Sequence, residues 1–258
     1  MMTYDILPFE RNRELVVDAG YLAARRHIVH GLLEVDVTLP RQILRNSSGA
    51  DGRPLSFTAF LIASLGRAIQ AHPAVHAYRD LRRRLVVFHE VDVATLVEPR
   101  PGAVALPILL RQANTRSVRD LSDEIRSIQA DPRPAGGAGW LADLAPRIPR
   151  FARLLYFRGL KLSPHWVKQV QGTAIVTSVG MFGKRAGWGI AILMSHTLGL
   201  TVGGIGERPV VHEGAVVPRE CLNLTLSFDH DIVDGAPAAR FARTLVEIIE
   251  SGSALEGT

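Results

Sequence analysis

The chemistry of this chain centres on one histidine at the end of an apolar run. Residues 222–226 have the composition of a strand, and His230 follows them at the point where the chain turns. A strand holds the backbone in place, whereas the turn after it leaves room for a substrate beside the imidazole. Free imidazole titrates close to neutral pH, so it can take a proton from a thiol or a hydroxyl. These features predict that His230 acts as a general base; the alternative is a histidine that only lies beside surface acids.

Two neighbours of this histidine could shape the turn. Asp234 lies four residues further on and could brace the loop or pair with an arginine. Gly235 would allow a backbone conformation or a close approach that a side chain blocks. The other histidines show no metal-ligand spacing with acids or with Cys221, so no metal site is predicted.

The elements around these residues indicate an α/β protein. Apolar residues at helical spacing predict helices over residues 10–26, 57–70, 118–129 and about 237–250, the second of them capped by Ser56. The first strand is predicted to stop at Pro40, which lacks an amide hydrogen. We expect strands at 31–39, 85–88, 91–97, 104–110, 173–179, 189–194, 200–203, 210–211, 216–217 and 222–228. Such a series of strands, with helices before, between and after it, predicts a layered sheet. Glycines 199, 203, 204 and 206 are expected to form turns.

Composition places the chain among ordinary globular proteins. It has 258 residues, 47% of them apolar and 21% charged. No apolar run reaches the roughly 20 residues that a membrane-spanning helix needs, and the first residues do not resemble an export signal. We therefore expect a cytoplasmic protein that forms a single domain over residues 1–258.

Charge is distributed unevenly along the chain. The formal net charge is +5, and residues 144–206 contain eight Lys or Arg but no Asp or Glu. Residues 131–171 are predicted to begin with a Pro/Gly-rich loop and to continue as a basic amphipathic insertion. This insertion could be a lid, an oligomer arm or a helix that touches a membrane. The positive charge could attract a nucleotide cofactor, an anionic membrane or an acidic partner, or it could simply be solvated. Nucleic acid is not expected, because no binding signature accompanies the charge.

Several motifs resemble one known family. His230, Asp234 and Gly235 form a His-x-x-x-Asp-Gly pattern similar to that of the catalytic domain of 2-oxo acid dehydrogenase dihydrolipoamide acyltransferases, which share a fold with chloramphenicol acetyltransferase. Residues 172–183 resemble that family's segment Gly-Thr-strand-Ser-Asn-Leu-Gly-Met-Phe-Gly. Residues 33–38 resemble its first core strand, and residues 56–73 its helix before a proline. The matches occur in the family's order.

The resemblance implies a fold and a mechanism. The fold would be a chloramphenicol acetyltransferase-like layered mixed sheet with flanking helices. His230 would deprotonate a thiol, of coenzyme A or of a dihydrolipoyl group, for attack on a thioester. The family's oxyanion-binding serine aligns with Thr177, and the adjacent Ser178 is the alternative donor. Asp234 would pair with an N-terminal arginine, for which Arg13 is the first candidate.

The resemblance also has consequences for partners and leaves alternatives. Arg11, Arg25 and Arg26 compete with Arg13, and the arginine usual after the family's histidine is Asp231 here. The family's fold is trimeric, so His230 of one chain would face Thr177 of the next in a free homotrimer. Acyl-CoA would be a substrate, and a lipoyl-domain protein or dehydrogenase complex would supply the lipoyl group in trans. The alternatives are a catalytically weak structural subunit and a peripheral membrane protein.

Overall fold

The computed structural model describes residues 3–9, 11, 13–47, 49, 52–97, 106–130, 144–178 and 186–256. In this part of the chain the helices are α1 Arg13–Ala23, α2 Thr38–Asn46, α3 Phe57–Ala71, α4 Val118–Ala130, α5 Arg150–Leu160, α6 Pro164–Gln171 and α7 Gly235–Ser251. The strands are β1 Ile28–Asp36, β2 Tyr78–Arg79, β3 Leu85–Val86, β4 Val93–Val97, β5 Leu106–Leu110, β6 Ala174–Ser178, β7 Leu198–His212 and β8 Ala215–Asp229. None of the described helices combines the length and the apolar composition that crossing a membrane requires.

The main sheet is mixed, as the family resemblance implies. Its six strands lie in the order β1-β8-β7-β6-β4-β5. β6 runs parallel to both β4 and β7, whereas the other neighbouring pairs are antiparallel. The short strands β2 and β3 form a separate hairpin.

Helices α3, α4 and α7 pack their apolar side chains against one face of this sheet. The core includes Phe60 of α3 and Phe241 of α7, both fully buried, together with Val176 of β6 and Leu224 of β8. The Ser56 hydroxyl accepts a hydrogen bond from the Ala59 amide at 3.3 Å, as expected for a residue that caps α3. The other face of the sheet carries the polar residues of the candidate site.

The region around Pro40 differs from its prediction. The strand ends at Asp36, and Pro40 lies in the first turn of α2, which the sequence analysis did not predict. The first turn of a helix has amide hydrogens without intrahelical partners, so a proline is tolerated there. Pro40, which follows a run of alternating apolar and polar residues, therefore lies at the start of a helix and does not mark the end of a β-ladder.

The last third of the sheet is more regular than predicted. The four short strands expected between residues 200 and 228 form only two, β7 and β8, joined as a hairpin. Residues 189–194, predicted as a strand, have no regular secondary structure. Gly203 lies within β7, and a Cβ atom there would be 2.2 Å from the carbonyl oxygen of Gly187. The four glycines between 199 and 206 are thus strand residues and not turn residues. At Gly203 the missing side chain allows the backbone of Gly187 to pack closely.

The insertion consists of a short 3₁₀ turn, Ala145–Arg147, followed by α5 and α6. Residues 131–143 lie outside the described residues. A buried ion-pair cluster joins α5 to α1: the Asp18 carboxylate accepts hydrogen bonds from Arg153 Nε at 2.6 Å and from Arg150 Nε at 3.0 Å. The inner side of α6 packs with Val167 against Tyr78 and Phe88.

Candidate active site

His230 lies in the turn directly after β8, where the sequence analysis placed it. Its backbone amide donates a hydrogen bond to the carbonyl oxygen of His27 at 2.8 Å, which continues the pairing of β1 with β8. Its imidazole remains accessible, with 45% of the side chain exposed, and Nδ1 lies 3.8 Å from Oδ1 of Asp234. This distance is too long for a hydrogen bond but short enough for electrostatic attraction. The ring is therefore available to a substrate on a turn whose backbone is held in place.

A buried ion pair stabilises the turn that carries His230. Arg26 donates a hydrogen bond through Nη2 to Oδ2 of Asp229 at 2.5 Å and through Nη1 to the carbonyl oxygen of His196 at 2.7 Å. The second oxygen of Asp229 accepts a hydrogen bond from the backbone amide of Asp231 at 3.2 Å. The guanidinium of Arg26 thereby connects the end of β8 to the segment before β7. Its partner in β8, Asp229, is the residue that precedes His230.

This arrangement corrects the arginine pairing inferred from the resemblance. Arg13 begins α1 and has no ion pair with Asp234 among the described contacts, and the Asp234 side chain is 85% exposed. Arg26 occupies the buried position instead, with Asp229 as its partner. Arg26 lies two residues before the start of β1. Arg13 lies at the opposite end of the 11-residue helix α1, about 15 Å from the end of the helix that leads to β1. The sequence offers Arg26 only as an alternative to Arg13 in pairing with Asp234 and predicts no role for Asp229.

Burial changes the protonation of groups around this ion pair. It lowers the pKa of His196 to about 4, and the nearby Arg26 charge acts in the same direction. The ring nitrogen Nε2 of His196 lies 2.8 Å from the carbonyl oxygen of Gln171, so Nε2 carries the hydrogen and His196 is neutral at pH 7. Burial also lowers the pKa of Lys161, at the end of α5, with Arg26 contributing and Asp229 opposing. The insertion therefore approaches the base of the His230 turn.

Asp231, which departs from the family pattern, has a partner of its own. Its carboxylate Oδ1 lies 3.0 Å from Nδ1 of His27. His27 immediately precedes β1 and is paired through its carbonyl oxygen with His230. Two His-Asp pairs, His230 with Asp234 and His27 with Asp231, thus lie side by side at this end of the sheet, and the sequence predicts neither. No local sequence signal identified His27, because its partners are more than 200 residues away.

Thr177 and Ser178, the two candidates for the oxyanion donor, point to opposite faces of the sheet. Successive side chains alternate along a strand, and Val176 packs in the helix-covered core. Ser178 therefore shares the face of Val176, whereas Thr177 lies on the opposite, polar face. Thr177 pairs in register with Thr201 of β7, which pairs with Thr225 of β8, so three threonines form one row across the sheet.

Within one chain, Thr177 and His230 are too far apart to act together. Asp229 lies four residues along β8 from Thr225, which is two strands away from Thr177. With about 3.3 Å per residue and about 4.8 Å between strands, the separation is about 16 Å. Groups that act on one reacting centre must approach it to about 3 Å. A site that uses both residues therefore requires two chains.

Comparison with known proteins gives matches to one family of acyltransferases. The profile of the family described as 2-oxoacid dehydrogenases acyltransferase (catalytic domain) matches residues 157–256, which include His230 and Asp234. The chain is 25% identical, over 93% of its length, to the dihydrolipoyllysine-residue acetyltransferase component of the Zymomonas mobilis pyruvate dehydrogenase complex, covering 48% of that protein. It is 43% identical, over 77% of its length, to a probable dihydrolipoyllysine-residue succinyltransferase component of the Schizosaccharomyces pombe 2-oxoglutarate dehydrogenase complex, covering 38% of it.

The chain is therefore similar to the catalytic domain of 2-oxoacid dehydrogenase acyltransferases. It spans about a third to a half of the length of the first curated relatives that it matches. Solved structures confirm the predicted fold. The cubic core of the pyruvate dehydrogenase multienzyme complex aligns with a TM-score of 0.72 at 20% identity, covering 98% of this chain and 94% of the other. A chloramphenicol acetyltransferase aligns with a TM-score of 0.53 at 16% identity, covering 95% and 98%.

No group of three or more metal-binding side chains occurs among the residues that the structure describes. All of the site residues predicted near His230 and Thr177 fall within the region that the family profile matches. Arg13 falls outside it.

Proposed function

We propose that this chain transfers acyl groups between coenzyme A and the thiol of a dihydrolipoyl group, with His230 as the general base. The observation that carries the proposal is the accessible imidazole on the turn after β8, 3.8 Å from Asp234 and inside the matched family region. The curated relatives are named as dihydrolipoyllysine acetyltransferase and succinyltransferase components of dehydrogenase complexes, which supports this substrate class.

The proposed reaction needs one base and one oxyanion donor. His230 Nδ1 faces Asp234, so Nε2 takes the proton from the attacking thiol. The thiolate attacks the thioester carbonyl carbon, and the carbonyl electrons move to oxygen. The hydroxyl of Thr177 donates a hydrogen bond to this oxyanion. When the intermediate collapses, the carbon–sulfur bond to the leaving thiolate breaks, and the imidazolium of His230 returns the proton to that sulfur.

Thr177 in this scheme comes from a second copy of the chain. The separation of about 16 Å between Thr177 and the end of β8 prevents one chain from supplying both groups. A homotrimer with sites between neighbouring chains satisfies this requirement and agrees with the oligomer that the resemblance implies. Thr177 is preferred to Ser178 because it lies on the polar face of the sheet. We propose a lipoyl domain of another protein as the source of the dihydrolipoyl group.

Replacement of His230 tests the proposed base. The His230→Ala variant should form S-acetyldihydrolipoamide from acetyl-CoA and dihydrolipoamide about 10²–10⁴ times more slowly than the original protein. The matched control is His212→Ala, which removes an exposed histidine at the far tip of the β7–β8 hairpin. Chromatography of the thioester product measures both rates. Equal rates for the original protein and His230→Ala would reject the proposal.

Mixed oligomers test the assignment to two chains. Thr177→Val removes the hydroxyl at similar volume and should lower kcat by about 10²–10³, whereas Thr177→Ser retains it. When His230→Ala and Thr177→Val chains are unfolded and refolded together, random assembly leaves about a quarter of the sites with both groups intact. We expect about a quarter of the original activity. Activity no greater than that of the two separate variants would reject a shared site.

A structural subunit without strong activity is the second candidate. It is favoured by the engagement of Asp231 with His27 and by the absence of an arginine from the described partners of Asp234. In this case the purified chain would turn over acetyl-CoA no faster than His230→Ala. It would still form a stable oligomer by light scattering.

A further inference from the structure

Helix α5 presents large apolar side chains to the outside of the protein. On its inner side, Arg153 is buried and bound to the fully buried Asp18. On its outer side, Phe151 and Leu155 are 74% and 68% exposed. Leu160 at the end of α5 is buried as well, so the helix has apolar side chains on both its inner and its outer side. A helix on the surface of a soluble domain ordinarily has polar side chains on its outer side, so the exposed Phe151 and Leu155 indicate an apolar environment there.

The exposed apolar side chains continue along the insertion. Leu162 follows α5, and Trp166 and Val170 lie one turn apart on the outer side of α6. The inner side of α6 is occupied by Val167, which packs against Tyr78 and Phe88. We call the five exposed residues the outer strip: Phe151, Leu155, Leu162, Trp166 and Val170.

The ion pairs beneath α5 prevent this strip from turning inward. Rotation of the helix to bury Phe151 would withdraw Arg153 from Asp18, whose carboxylate has no access to solvent. An uncompensated buried charge is strongly unfavourable. The outward orientation of the strip is therefore a stable property of the fold.

Positively charged side chains flank the outer strip. Arg158 is exposed and lies within about 60° of Phe151 and Leu155 around the helix axis, since successive residues turn by about 100°. Arg147 is exposed just before α5. The described residues from 144 to 178 contain no Asp or Glu that could neutralise these charges within the segment. The complementary surface is therefore apolar and anionic.

We propose that the outer strip binds the surface of an anionic lipid bilayer, with α5 and α6 lying in the plane of the interface. Phe151, Leu155 and Trp166 would enter the boundary between headgroups and acyl chains, while Arg158 pairs with lipid phosphates. A second copy of the chain suits the strip less well, because the chain carries a formal charge of +5. The inference is independent of the proposed acyl transfer, since none of these residues belongs to the His230 site.

Vesicle sedimentation of the full chain tests this binding. The original protein should sediment with vesicles of equal parts phosphatidylcholine and phosphatidylglycerol, remain in solution with phosphatidylcholine alone, and be released by high salt. Arg158→Gln should weaken binding about fivefold, the effect typical of one basic residue at an anionic surface. Leu155→Ala should weaken it by several fold through the lost apolar contact.

Two control variants, one that removes an arginine charge and one that truncates an aliphatic side chain, make comparable changes on surfaces distant from α5. Arg243→Gln removes an exposed arginine of α7, and Val216→Ala truncates a valine that is 70% exposed at the tip of the β7–β8 hairpin. Both should bind vesicles like the original protein. The inference is overturned if the original protein fails to bind anionic vesicles, binds phosphatidylcholine equally well, or loses as much affinity through the controls. It is also overturned if Leu155→Glu lowers the oligomer mass in light scattering, because the strip would then be an interface between chains.

Discussion

Separating Arg26 from Asp229 should destabilise the protein more than removing both charges. Their side chains are only 9% and 11% exposed, and the guanidinium nitrogen lies 2.5 Å from the carboxylate oxygen. Water therefore screens the pair weakly. Arg26→Met leaves a buried carboxylate without its cation, and Asp229→Asn leaves a buried guanidinium without its anion. Each single change should cost about 3–5 kcal/mol of unfolding free energy.

The double variant should cost much less than the sum of the two single changes. It contains no unpaired charge, and the asparagine side chain still offers an oxygen to the Asp231 amide. We expect a total loss smaller than that of either single variant, so the coupling energy should exceed about 3 kcal/mol.

Urea unfolding of the four proteins measures this cycle. The shift of each midpoint, multiplied by the common slope, gives the change in free energy. Protomer concentration is held constant, because assembly also contributes to apparent stability. Single variants that each cost less than about 1 kcal/mol, or a double variant that equals their sum, would refute the description of this contact as a buried, coupled pair.

Three further predictions concern stability. Burial lowers the pKa of His196 to about 4 from its ordinary value of 6.5, so the unfolded chain takes up its proton first as the pH falls. Stability should be complete above about pH 6.5 and decline toward pH 4, by about 2 kcal/mol between pH 7 and pH 5, and His196→Gln should flatten this slope in urea titrations. Gly203→Ala should cost about 1–3 kcal/mol because its Cβ would meet Gly187, whereas Gly31→Ala, with no atom within 4 Å, should not show this packing cost; calorimetry compares the two. Ser56→Ala should lower unfolding free energy by about 1 kcal/mol, and Ser56→Asp should restore it.

Local sequence patterns were sufficient for much of the scaffold. The helical stripe after Ser56, the apolar run before His230 and the amphipathic pattern of α4 are signals that neighbouring residues create together. They act through propensity, capping and periodicity over a few turns. The same locality explains the errors. Pro40 is compatible with both a strand end and a first helical turn, and only packing of α2 against β8 and α7 decides between them.

The partners of the site residues required the folded chain. Arg26 and Asp229 are 203 positions apart, and no local pattern distinguishes Arg26 from Arg13 or Arg25. The pairing of β1 with β8 brings Arg26 to the turn that carries His230 and leaves Arg13 at the far end of α1. Likewise, strand alternation separates Thr177 from Ser178 once the helices have selected one face of the sheet as the core.

The sequence by itself determined the position of His230 after a strand, the family motifs and the basic character of the insertion, because each is a property of contiguous residues. The tertiary structure decided which arginine supports His230, which hydroxyl lies on the polar face and which side of α5 meets solvent. These depend on contacts between distant segments, where burial makes an unpaired charge costly and strand register determines distance.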